Sequence, residues 1–128
     1  MDTIDKIKTA TGSVSFQEEG IVRYQIDQTD EITLQNVEEF LEAVRNLGDG
    51  KAFCNLVIMK EFIQVGEDAR KYAAGEESNI YTIADAFVID SIGLKIVGNF
   101  YIRYNKPVRP TRIFNNEADA LVWLRTFL

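Results

Sequence analysis

The chain has 128 residues, of which 46% are hydrophobic and 27% charged, and its net charge is −6. That is one domain's length with an ordinary globular balance, which excludes a disordered tail, a collagen-like repeat and a mini-protein that depends on staples. The acidic balance also argues against sequence-independent nucleic-acid binding, which needs a basic footprint.

Residues 1–12 are polar and are expected to form a loose arm or short helix ahead of a single domain at 13–128. Over 13–18, Val14 and Phe16 alternate with Ser13, Ser15 and Gln17, and over 21–26 Val22, Tyr24 and Ile26 fall on one side. With Glu19-Gly20 between them, the two runs predict a β-hairpin. A polar connection at 27–32 follows. Thr33 then caps a helix whose apolar positions are Leu34, Val37, Phe40, Leu41, Val44 and Leu47, with stop signals at Gly48 and Gly50.

The run AFCNLVIM at 52–59 is short, apolar and β-branched, as in a strand covered on both faces. After a connection at 60–65, the segment 66–74 reads as helix, with Glu67 and Asp68 suited to its first turn. Residues 75–83 fit helix or loop, and 86–89 (AFVI) fit a second buried strand. Residues 91–104 read as helix in spite of Gly93 and Gly98, glycines being tolerated where a backbone packs closely. Asn105-Lys106-Pro107 ends it. A short strand near the sheet's edge at 108–114 and a helix at 117–128, capped by Asn115 or Asn116, complete the chain. The order β-β-α-β-α-β-α-β-α implies an α/β fold: a mixed, mostly parallel sheet flanked by helices, with an antiparallel hairpin at one edge.

Hairpin, helix 33–47 and strand 52–59, then AFVIDSIGLKIVGNFYI, PTRIF and NNEADALVWL, give an arrangement that resembles the STAS and SpoIIAA-like superfamily, the anti-sigma-factor-antagonist type of fold. The closing EADALVWL is similar to the helix that ends those domains. The resemblance runs from residue 13 to the C-terminus and implies a regulatory or ligand-binding module. Phospho-switch members carry a Ser or Thr where the helix after the central strand begins. The corresponding turn, 60–66, has neither, and in the look-alike DSIGL the usual phosphoacceptor position is Ile92 with Ser91 only its neighbour. No phosphosite is carried over.

Several chemistries are excluded outright. The chain has no histidine, which removes Ser-His-Asp and Cys-His catalysis and every His-ligated metal site. The lone Cys54 lies in an apolar run and reads as a buried structural thiol. Gly-rich phosphate loops are missing, and no motif implies a metal or a cofactor. No apolar stretch approaches the ~20 residues of a membrane helix and the N-terminus lacks signal-peptide shape, so a cytoplasmic location is expected.

The candidate site lies on helix 91–104. Ser91, Lys95, Asn99 and Arg103 are spaced four apart and form a polar stripe; Ser91 and the helix N-terminus can hold an anion. An ordinary solvated helix face is the plainer reading of the same spacing. Tyr101 and Tyr104, with Phe100 and the aliphatic residues around them, make this helix apolar on more than one side, as at a homodimer interface or a pocket. Plain core packing explains most of them equally. Glu61, Glu67, Asp68, Glu76 and Glu77 read as solvated surface, and the bases Arg103, Lys106, Arg109 and Arg112 are too few for DNA readout. The expected function is a non-catalytic regulatory or ligand-binding module, acting through a protein partner or a small apolar or anionic ligand as a homodimer. The alternative is a small enzyme using carboxylates or Lys at a subunit interface. A shifted pKa inside a concave pocket favours the enzyme, and a pocket without titratable groups favours the binder.

Overall fold

The computed structural model describes residues 6–27 and 29–128. Its core is a six-stranded sheet in the order β1-β2-β3-β5-β7-β8, formed by β1 (Lys6–Lys8), β2 (Gly12–Glu18), β3 (Ile21–Ile26), β5 (Phe53–Met59), β7 (Thr82–Ile89) and β8 (Thr111–Phe114). β1 and β2 pair antiparallel with their neighbours at one edge, and β3, β5, β7 and β8 run parallel. Four helices flank it: α1 (Leu34–Gly48), α2 (Glu67–Ala74), α3 (Ile92–Phe100) and α4 (Glu117–Arg125). The fold is thus α/β with a mixed, mostly parallel sheet, as the sequence order implies.

The hairpin turns at Gly20, whose φ of 82° suits glycine. Thr33 caps α1 through a reciprocal pair: its hydroxyl accepts from the Asn36 amide at 3.2 Å, and the Asn36 side chain accepts from the Thr33 amide at 2.8 Å. α1 ends at Asp49, in left-handed geometry.

The two faces of the sheet are packed differently. On one, Cys54, Leu56 and Ile58 of β5 and Ala84 and Ala86 of β7 meet Ala120 and Leu124 of α4. The small alanines let that one helix lie close. Two bidentate pairs fasten it, Arg23 to Glu117 and Arg125 to Glu18, each with a shortest distance of 2.7 Å. On the other face α1, α2 and α3 cover Val22, Tyr24, Ile26, Val57, Met59, Phe87 and Ile89. Cys54 is fully buried; burial raises its thiol to about 11, so it stays protonated at neutral pH.

Several local expectations are corrected. The segment expected to be a loose arm is, over Lys6–Lys8, the edge strand β1, held by pairing with β2; residues 1–5 lie outside the described residues. The connections at 27–32 and 60–65 contain β4 (Glu31–Ile32) and β6 (Gln64–Val65), which pair with each other as a two-stranded ribbon. The ambiguous 75–83 is a 3-10 turn (Glu77–Asn79) leading into β7, which begins at Thr82 rather than at 86. The helix expected over 91–104 ends its α-geometry at Phe100 and continues as a π turn, Tyr101–Asn105. The strand expected from 108 starts at Thr111, and α4 stops at Arg125.

Candidate functional site

Between the three-helix side and the sheet lies a cavity of about 140 Å³. An apolar cavity of about 150 Å³ accommodates benzene, so the space suits a single ring. Strand alternation builds its floor. Every second residue of β3, β5 and β7 faces the helices, and the parallel registers align these residues in rows. One row is Tyr24, Val57 and Phe87, and the next is Ile26, Met59 and Ile89. The row at the other end is Val22, Asn55 and Asp85. The floor is therefore apolar over two rows and polar at Asn55 and Asp85 of the third, whose Val22 lies outside the lining. Val37, Phe40 and Leu41 of α1, Ala69, Arg70 and Ala73 of α2, and Leu94, Val97, Gly98 and Tyr101 of α3 and its π turn form the roof. Gly98 brings α3 down onto the sheet edge: a methyl there would lie 2.6 Å from Ile113 Cδ1.

At the polar end, most groups satisfy one another. Ser78 donates to the Tyr72 carbonyl at 2.6 Å, and the Asn79 amide donates to Ala73 O at 2.9 Å. Arg109 donates to Thr82 O at 2.8 Å and Asn79 O at 3.1 Å, which fixes the approach to β7. Asn55 and Asp85 differ. Asn55 Nδ2 donates to Asp85 Oδ1 at 2.8 Å, but Asn55 Oδ1 has no partner although the residue is only 2% exposed. Leaving such an acceptor unpaired costs about 1–3 kcal/mol. An ionised carboxylate only accepts, so the amide nitrogen faces it and the amide oxygen is left over.

Asp85 forms no ion pair among the described residues. Burial pushes its carboxyl up to about 6, against the smaller lowering effect of the Asn55 hydrogen bond. Tyr101 is buried edge-on to Phe87 with ring centroids 6.2 Å apart. Burial raises its hydroxyl's pKa, and the Asp85 charge adds to that. Arg70 is half-buried. It donates to Val65 O at 2.5 Å, its guanidinium lies 5.3 Å from the centre of the Phe100 ring, and its buried Nε has no partner.

Of the residues picked from the sequence, Tyr101 alone lines this cavity. Ser91 caps α3, accepting from the Leu94 amide at 3.3 Å. Lys95 is half-buried, whereas Asn99, Arg103 and Tyr104 are exposed. The polar stripe is thus outside the cavity, because α3 turns Leu94, Val97, Gly98 and Tyr101 inward. Tyr104 stacks on Phe100 with centroids 4.9 Å apart, in an outward apolar strip with Ile92 and Ile96, which are 78% and 66% exposed. Glu61, Glu67, Asp68, Glu76 and Glu77 are exposed, and the described residues contain no acid or thiol cluster fit for a metal ion. Sequence reading missed Asn55 and Asp85. The available signal was one amide within FCNLVIM and one acid within TIADAFVI, polar residues placed on the inward side of central strands.

Among the described residues no helix is long and apolar enough to cross a membrane. No curated protein matches the chain. Among solved structures, a protein with unknown function from Arthrobacter sp. FB24 is similar at 22% identity over 88% of this chain and 97% of its own, with a TM-score of 0.32. A family model described as a domain of unknown function, DUF7793, matches residues 15–128, and the chain belongs to that family.

Proposed function

We propose that the protein is a non-catalytic binding module that holds a small apolar ligand in the cavity between the sheet and α1, α2 and α3. One observation carries this reading: an apolar space of about 140 Å³ ends at a buried amide oxygen with no partner. Proteins keep such a group unsatisfied at a cost in stability, and ligand sites are apolar cavities with a few placed polar groups. Native mass spectrometry against a denatured sample tests it. Extra mass released by denaturation, and absent from an Ala73→Leu variant that fills the roof, is the expected result. Identical wild-type and variant spectra, together with no thermal shift from any apolar compound of one ring, would reject it.

The outward strip of α3 supports a homodimer or a protein partner as the regulatory side of the same reading, since closed two-fold dimers are the commonest soluble assemblies. Sedimentation of an Ile96→Glu variant separates the cases: a dimer that becomes a monomer supports the self-association, and a wild-type monomer at high micromolar concentration rejects it. The resemblance of 13–128 to SpoIIAA-like domains and a cytoplasmic location belong to the same proposal.

A second reading has its own support. A carboxyl raised to about 6 inside a cavity suits a general acid–base group working near neutrality, so Asp85 favours the enzyme alternative. Recovery of the bound compound settles which holds. A binder returns it chemically unchanged after long incubation, whereas an enzyme converts it and an Asp85→Asn variant does not.

A further inference from the structure

Resting on the cavity reading, we propose that its ligand is a small aromatic or aliphatic amine, bound with its cationic head between Asp85 and Asn55 Oδ1 and its apolar body along Phe87 and Ile89. The inference comes from what the polar end lacks. Asn55 and Asp85 both have accepting capacity left there: a carboxylate whose one hydrogen bond comes from Asn55, and a buried amide oxygen with none. A ligand must bring donors there, and a carboxylate without a counter-ion selects positive charge.

Among the described residues no cation pairs with Asp85. Arg109 is engaged with the carbonyls of Thr82 and Asn79, Arg70 donates to Val65 O and lies against the Phe100 ring with its buried Nε unpaired, and the ion pairs formed by Arg23 and Arg125 involve Glu117 and Glu18. The tyrosines that share the cavity with Asp85 are Tyr101 from the π turn and Tyr24 from β3, and the Cys54 thiol of β5 lies on the sheet's opposite face. Burial raises all three, so they remain neutral at pH 7 and offer no charge. Two acceptors side by side match an ammonium, which has three donors and no acceptor. An anion would meet the Asp85 charge, and a neutral alcohol has one donor for two acceptors. Because an ammonium binds the ionised carboxylate, its affinity is expected to fall as the pH drops through about 6.

The test uses three probes of one shape, benzylamine, benzyl alcohol and benzoate, titrated into the full chain by calorimetry at pH 7.5. Benzylamine is expected to bind about tenfold tighter than benzyl alcohol, as for a hydrogen bond to a charged group, with benzoate weakest. Asp85→Asn keeps the side chain's shape and is expected to erase the preference of amine over alcohol. Equal binding of amine and alcohol, with both blocked by Ala73→Leu, overturns the amine assignment and leaves the cavity reading standing. Tightest binding of benzoate overturns it too and moves the polar contact to Arg70. No binding of any probe overturns both.

Discussion

Asp85→Asn is expected to stabilise the protein at neutral pH while flattening its stability profile below pH 6. The carboxyl sits in the cavity floor, where burial raises it from an ordinary 3.8 to about 6. A carboxyl raised on folding holds its proton longer in the folded state. Its stabilising effect is therefore complete below about pH 4, declines as the pH climbs to about 6 and is absent above that. A gap of about two pH units corresponds to about 3 kcal/mol. The variant's amide oxygen still accepts from Asn55 Nδ2, so shape and hydrogen bond are kept while the half-buried charge goes. At pH 7.5 the variant should gain up to about 3 kcal/mol, or about 10 °C in Tm for a chain of this length. Urea unfolding of both proteins from pH 4 to pH 8 reads this directly. Wild type should lose stability across pH 4–6 relative to the variant, and the two should differ by a constant amount above pH 7. Parallel profiles through pH 4–6 would mean the carboxyl is solvated, and the desolvated cavity floor would have to be abandoned.

Three other changes probe separate parts of the structure. Asn55→Ala removes the hydrogen bond that lowers the Asp85 carboxyl, so the carboxyl should titrate above about 6; carboxyl-carbon NMR measures the midpoint, and an unmoved midpoint contradicts the pairing. Leu124→Ala opens a void under α4, where the side chain is fully buried, and should cost about 2–5 kcal/mol in denaturant unfolding. Thr33→Ala breaks the reciprocal cap of α1 and should cost about 1 kcal/mol by the same measurement, without changing the cavity.

Much of the architecture is legible in the sequence because it rests on periodicity. Val14, Phe16, Val22 and Tyr24 alternate as a half-covered hairpin must, and the Phe40, Leu41, Val44 spacing fits a helix lying on one side of the sheet. The two-residue strands β4 and β6 leave no trace, since two residues carry no period. β1 is too short and too polar to stand out, and it is a strand only because β2 offers it a pairing edge. The start of β7 was hidden by its own chemistry. Ala84, Asp85 and Ala86 are weak strand formers on average, and pairing with β5 and β8 overrides that preference.

The candidate site was legible only at Tyr101. Spacing along α3 marks a polar stripe and an apolar remainder, but it does not say which apolar side meets the sheet. Leu94, Val97 and Tyr101 went inward, while Ile92, Ile96 and Phe100 went outward. Asn55 and Asp85 lie 30 positions apart in the chain and become partners through the parallel register of β5 and β7. Mean hydropathy dilutes one polar residue in an apolar run, and that dilution concealed both.

The most direct measurement of the central claim is a methyl NMR titration of the wild-type chain and its Ala73→Leu variant with benzylamine and benzyl alcohol. In wild type the methyl signals of Met59, Ile89 and Leu94, which line the cavity, should shift together and saturate, while those of Leu124 and Ile58 beyond the sheet stay fixed. The variant should show none of these shifts. Shifts confined to the outward residues Ile92 and Ile96, or shifts at the cavity methyls that Ala73→Leu leaves unchanged, would contradict the cavity as the ligand site.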